Sequence, residues 1–242
     1  IWVLGYPDQA QQSFNQALTL AQEINHPFSQ AFALAMTAVT LQLRRESQAV
    51  QERAEELIEL STEQGFAFWL AFGTILRGWA LTAQGAGTEG IAQMRQGFVA
   101  YQAMGAEVDR PYFTALLAEA YGKIGQPEEG LAVLAEALEI VDNTGERYWE
   151  AELHRQKGEL LLALSEENQA EADACFHKAI EIARRQSAKS FELRAAMSLS
   201  RLWQQEKQDE AHQLLSEIFG WFTEGFDTAD LKEAKTLLEE LM

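Results

Sequence analysis

Residues 125–145 read GQPEEGLAVLAEALEIVDNTG, and this stretch decides the fold. Pro127 stands where the first turn of a helix needs no N–H, and Glu128 and Glu129 follow where the helix dipole favours negative charge. Gly130, Leu134 and Ala137 then recur at four- and three-residue intervals, which places them on one helical face. Gly145 ends the run with the residue that most readily takes the left-handed conformation closing a helix. The stretch therefore predicts one helix with a narrow face of small and bulky residues.

The same pattern recurs outward in both directions. Its copies are Ala10/Phe14/Ala17, Val50/Ala54/Leu57, Gly90/Met94/Gly97, Ala172/Phe176/Ala179 and Ala211/Leu215/Ile218. Counting Gly130, the first members lie 40, 40, 40, 42 and 39 residues apart. Stop signals keep the same offset at Asn25, Gly65, Gly105, Gly145 and Ser187. Thirteen residues beyond each stop comes another small residue, Ala38, Gly78, Ala118, Gly158 or Ser200, followed three later by Leu41, Leu81, Tyr121, Leu161 or Trp203. Each period thus holds two helices, and the small positions let them approach closely.

The expected fold is all-α: a right-handed α–α superhelix of stacked antiparallel helical hairpins, closed by a C-terminal capping helix. The register gives a partial repeat over 1–25, repeats over 26–65, 66–105, 106–145, 146–187 and 188–226, and a cap over 227–242. In that cap Asp227 or Thr228 opens the helix, and Leu231, Ala234, Leu238 and Leu241 share its apolar face, with Leu237 beside it. Ile1 falls inside a helix whose beginning lies outside the sequence, so the chain reads as a fragment of a longer protein, with Trp2 left exposed.

Composition narrows the function. The net charge of −18 is spread along the chain, which disfavours nucleic acid as a direct partner. Apolar runs such as 66–72 are too short to cross a bilayer, so no membrane role is expected. The single cysteine, Cys175, cannot form an internal disulfide and fits a cytoplasmic location. Gly122-Lys123 lacks the remainder of a phosphate-binding loop, and the four histidines lack metal-ligand spacing. No cofactor, metal or catalytic residue is expected.

The small-and-bulky pattern on paired helices resembles the tetratricopeptide family over nearly the whole chain, with a period nearer 40 than the usual ~34. The aromatic that usually opens the first helix gives way to Leu34, Thr74, Thr114, His154 and Ala196. Long-helix repeats of this kind resemble those following the ATPase modules of bacterial multidomain regulators. The closing residues 224–241 are similar to the ends of members that also carry a nucleotidyl cyclase. The resemblance implies a non-catalytic scaffold that binds a protein or peptide segment, or other domains of its own polypeptide, in a regulatory C-terminal region. The alternative is a small-molecule sensor, as in the maltose-regulon activator family. Weak self-association through the first repeat is a third expectation.

In such stacks the first helices line the concave side. Equivalent offsets then give ladders: Phe32, Phe72, Tyr112, Glu152, Arg194; Val39, Trp79, Glu119, Glu159, Arg201; and Ala35, Ile75, Ala115, Arg155, Met197. They run from aromatic to charged. The expected partner-binding groove is made of Phe32, Phe72, Trp79, Tyr112, Glu119, Arg155, Arg194 and Arg201, with aromatic anchors at one end and arginines for an acidic group at the other. The competing reading packs the aromatics between hairpins and pairs the arginines with Glu152 and Glu159.

Overall fold

The computed structural model describes all 242 residues, Ile1–Met242. Twelve α-helices account for nearly all regular structure: α1 (Pro7–Glu23), α2 (Pro27–Leu43), α3 (Ser47–Gln64), α4 (Ala67–Ala83), α5 (Gly87–Ala103), α6 (Arg110–Lys123), α7 (Pro127–Thr144), α8 (Glu150–Leu164), α9 (Gln169–Arg185), α10 (Lys189–Trp203), α11 (Gln208–Phe219) and α12 (Ala229–Glu240). Short 3₁₀ turns cover Trp2–Leu4 and Glu166–Asn168, the latter inside the one 42-residue period. The fold is an all-α solenoid of helical hairpins, without strands.

The expected stops are where the helices end. Asn25, Gly65, Gly105, Gly145 and Ser187 all have left-handed backbone, with φ between 48° and 76°. The turn between the two helices of a hairpin repeats as well: the Leu41 carbonyl accepts from Glu46 N–H at 3.0 Å, and the Leu81 carbonyl from Ala86 N–H at 2.9 Å.

The chain packs as two compact units, residues 9–124 and residues 1–8 with 125–242. In the first unit α2 packs on α3, α3 on α4 and α4 on α5, while α2, α4 and α6 also touch one another. The two kinds of helix are buried differently for that reason. On α3 only Val50, Ala54, Leu57 and Ser61 are buried, one stripe at helical spacing. Ten residues of α2 are buried, because neighbours cover it on several sides. Burying one such Leu contributes about 1.5–3 kcal/mol.

The second unit repeats this plan in α8 on α9, α9 on α10 and α10 on α11. Its core includes Phe176, Ala179, Leu193, Ala196 and Leu215, and α12 closes it with Leu231, Ala234, Leu237 and Leu241. Leu237, rather than the expected Leu238, is the deeper of the two, since α12 is turned so that Asp230 also faces inward to Arg194.

Residues 1–8 also belong to this second unit, and Trp2 is not exposed as expected. Its ring packs against Phe191 at 5.8 Å, the Arg194 guanidinium lies 4.7 Å over it, and its carbonyl accepts from Ser190 Oγ at 2.6 Å. Asp8 and residues 224–225 bond reciprocally: Asp8 N–H donates to Glu224 Oε1 at 3.0 Å, and Gly225 N–H donates to Asp8 Oδ2 at 2.9 Å. The register could not reveal this clasp, because its partners are about two hundred residues apart.

Candidate functional site

In the first unit, aromatic side chains gather where α3 ends and α4 begins. Gly65 stops α3, and Phe66 N–H closes the turn on the Ser61 carbonyl at 2.8 Å. That turn delivers Phe66, Phe68 and Trp69 together. Phe28 and Phe32, one turn apart on α2, meet them edge to face: Phe28 lies 5.6 Å from Phe66 and 5.9 Å from Trp69, and Phe32 lies 5.9 Å from Trp69. Inward, the stack continues from Phe68 to Tyr101 at 5.1 Å and from Phe72 to Phe113 at 4.9 Å. The Tyr101 hydroxyl donates to the Val108 carbonyl at 2.6 Å and fixes the turn before α6. Trp69, Phe72, Tyr101 and Phe113 are buried, whereas Phe28 and Phe32 are each 51% exposed. Two open rings thus rest on a closed aromatic bed.

The expected groove residues separate into three groups. Phe32 is open. Phe72, Trp79 and Tyr112 are buried, so the expectation that their rings line an open surface is corrected. Phe72 and Trp79 are held from the adjoining first helix, Phe72 by Phe113 and Trp79 by a bond from Nε1 to Glu119 Oε2 at 3.1 Å, while the Tyr112 hydroxyl reaches two first helices back, from α6 to Gln42 Oε1 on α2 at 3.0 Å. Truncating Phe72 and Tyr112 would remove core packing. Glu119 is also paired, with Lys123 at 2.6 Å, and that lysine lies over the Trp79 ring at 5.5 Å. Gly122-Lys123 is therefore occupied within the scaffold.

The arginines form the third group, in the second unit. Arg155 grips Glu152 with two bonds, Nε to Oε2 at 3.0 Å and Nη2 to Oε1 at 2.7 Å, and reaches Glu159 at 3.3 Å. Glu159 also accepts from Ser198 Oγ at 2.5 Å. Arg194 donates to Asp230 at 2.8 Å and stands 3.8 Å from Glu152. These charges are neutralised inside the protein: Arg155 by the partners of the competing reading, Arg194 chiefly by Asp230 on α12 instead. Arg201 is different: its side chain is 46% exposed and pairs with Glu233 at 3.3 Å.

The remaining chemistry-bearing residues do not converge. His26 caps α2, its Nδ1 accepting from Ser29 N–H at 3.3 Å. His177 stacks on Trp203 at 5.4 Å. Burial lowers the His154 pKa against the pull of Glu150, and burial raises that of the Cys175 thiol. Burial likewise raises the Asp109 carboxyl, at the left-handed residue before α6. No group of three or more His, Cys, Asp or Glu side chains is placed to hold a metal ion. No helix is long and apolar enough to cross a membrane.

Sequence reasoning missed Phe28 as a surface residue. The signal was present in the pair of phenylalanines four apart at 28 and 32, which puts both on one face of α2.

Fold and site together define a stacked helical-hairpin repeat protein whose open aromatic face lies in its first unit. No protein-family model matches the chain. It is similar to an uncharacterized protein of Rhizobium meliloti (strain 1021), 26% identical over 202 residues, which are 84% of this chain and 20% of that protein. The chain spans about a fifth of that relative's length.

Proposed function

We propose that this chain is a non-catalytic protein-interaction scaffold of tetratricopeptide type, serving in the cytoplasm as the regulatory repeat region of a larger bacterial signalling protein with cyclase or ATPase domains. The observation that carries the reading is the pair of half-exposed rings, Phe28 and Phe32, seated on buried Trp69 and its neighbours. Rings already held in place lose little freedom when a partner covers them, which makes them efficient anchors. Arg155 and Arg194 support the same reading, since carboxylates of the fold already engage both and leave little charge for a reacting group. The much greater length of the Rhizobium relative is in keeping with repeats that serve attached domains.

The test is photo-crosslinking in cells from position 32 in the first unit and position 201 in the second, using the full-length polypeptide. Crosslinks to a defined protein segment from either position support a scaffold. Their absence from both, together with a co-purifying metabolite, would replace it with the sensor reading.

A further inference from the structure

The aromatic edge of the first unit contains a polar atom that the fold leaves without a partner. Trp69 is 6% exposed, and its buried indole N–H finds no acceptor among the rings of Phe28, Phe32, Phe68 and Phe72 around it. Buried donors are nearly always paired, and a phenyl ring would fill an aromatic stack without leaving one. Two of the covering rings, Phe28 and Phe32, are the half-exposed ones. An acceptor arriving from solvent reaches the indole by displacing the edge of one of them.

Charge states what kind of segment brings that acceptor. From Ile1 to Leu76 the only cationic side chains are Arg44, Arg45 and Arg53. Arg44 and Arg53 already pair with Glu46 and Glu56. Arg44 and Arg45 follow the last residue of α2, while Phe28 stands at its start, about 25 Å away along the helix. Near the aromatic edge in the chain, Glu23 precedes the turn into α2 and Glu63 the turn into α4, both exposed. Arg110, at the start of α6 behind the buried part of the stack, is paired with Glu107, so the edge is apolar, π-rich and flanked in the chain by unmatched negative charge.

We infer that this edge docks a basic, apolar peptide segment: its aliphatic side chains and cations cover the faces of Phe28 and Phe32, and one of its carbonyl groups accepts the Trp69 N–H. This rests on the scaffold reading and names the chemistry of the partner. A second copy of the chain is a poor occupant, because it carries the same net charge of −18.

The experiment is fluorescence anisotropy of the whole chain with a labelled synthetic amphipathic peptide of leucine and lysine, set against its leucine–glutamate counterpart. The lysine peptide binds and the glutamate peptide does not. Phe28→Ser with Phe32→Ser, both at open positions, weakens binding at least about tenfold with helicity unchanged. Trp69→Phe, which keeps a ring in the stack, weakens it roughly three- to tenfold. Glu136→Gln with Glu139→Gln, on the exposed face of α7, leaves it unaltered. No binding of the lysine peptide overturns the inference. So does binding that follows the α7 pair but not Phe28 and Phe32, which would be adhesion to general negative charge. A concentration-dependent dimer lost in the Phe28/Phe32 variant overturns it too, by making the occupant a second copy. Failure here with crosslinks retained from position 201 leaves the scaffold reading standing.

Discussion

Replacing Gly78 with alanine tests the spacing of α4 and α5, on which the hairpin architecture rests. A Cβ at residue 78 would stand 2.6 Å from the Gly90 carbonyl oxygen, 2.6 Å from Met94 Cγ and 2.8 Å from Met94 N, where ordinary contact begins at 3.4 Å. The methionine side chain can swing aside, but the two backbone atoms can yield only if α5 retreats, by up to about 0.8 Å. Overpacking of this kind costs about 1–3 kcal/mol, while alanine in place of a mid-helix glycine returns about 1 kcal/mol. Because the obstruction is backbone, the upper part of the cost applies, and the net loss is about 1–2 kcal/mol. For a chain of this size that lowers the melting temperature by roughly 2–8 °C. Thermal unfolding followed by circular dichroism measures it. Gly73→Ala is the comparison: its nearest neighbours would be Ile58 Cγ1 at 3.0 Å and Ala54 O at 3.2 Å, so the helix-forming gain and the milder crowding nearly cancel. A Gly78→Ala protein melting at or above the parent would refute the close approach of the two helices.

Three further outcomes follow from the second unit. Arg194→Ala leaves Asp230 without its buried partner and uncovers Trp2, so urea unfolding should show a loss of about 3 kcal/mol, partly recovered by adding Asp230→Asn; a loss near zero would mean that the carboxylate is hydrated instead. His154 has a pKa below its ordinary value of 6.5, so below that pH the unfolded chain takes up the proton more readily. Stability should therefore fall as pH drops through that value and down toward the lowered folded one, and His154→Gln should flatten this part of the profile measured by urea titration. Cys175, buried with its thiol pKa raised, should react with a disulfide reagent at least about tenfold more slowly in the folded protein than in urea, and equal rates would contradict its burial.

Much of the fold was legible because it is written in local chemistry. A left-handed residue at every expected stop, and a buried stripe at Val50, Ala54 and Leu57 or at Gly130, Leu134 and Ala137, depend only on neighbours within one turn or one period. The site was less legible, since burial of a first-helix residue depends on which neighbour faces it. Phe32 and Phe72 hold equivalent offsets, yet Phe72 has Phe113 against it and Phe32 retains an open face. For Arg155 and Arg194, spacing suggested the pairing with Glu152 and Glu159, but the reach from Arg194 to Asp230 on α12 required the fold. Trp2 was misread for the same reason: its cover comes from α10.

The clasp joining residues 1–8 to the second unit also sets an order of events on the ribosome. Helical hairpins whose partners are close in sequence can form as they emerge, and residues 9–124 are complete before the last third of the chain exists. Trp2 must instead wait for Ser190 and Phe191, and Asp8 for Glu224. At about 5–20 residues per second that delay is roughly 10–40 s, during which Trp2 lacks the cover of Phe191 and Arg194. The second unit is therefore the later of the two to mature.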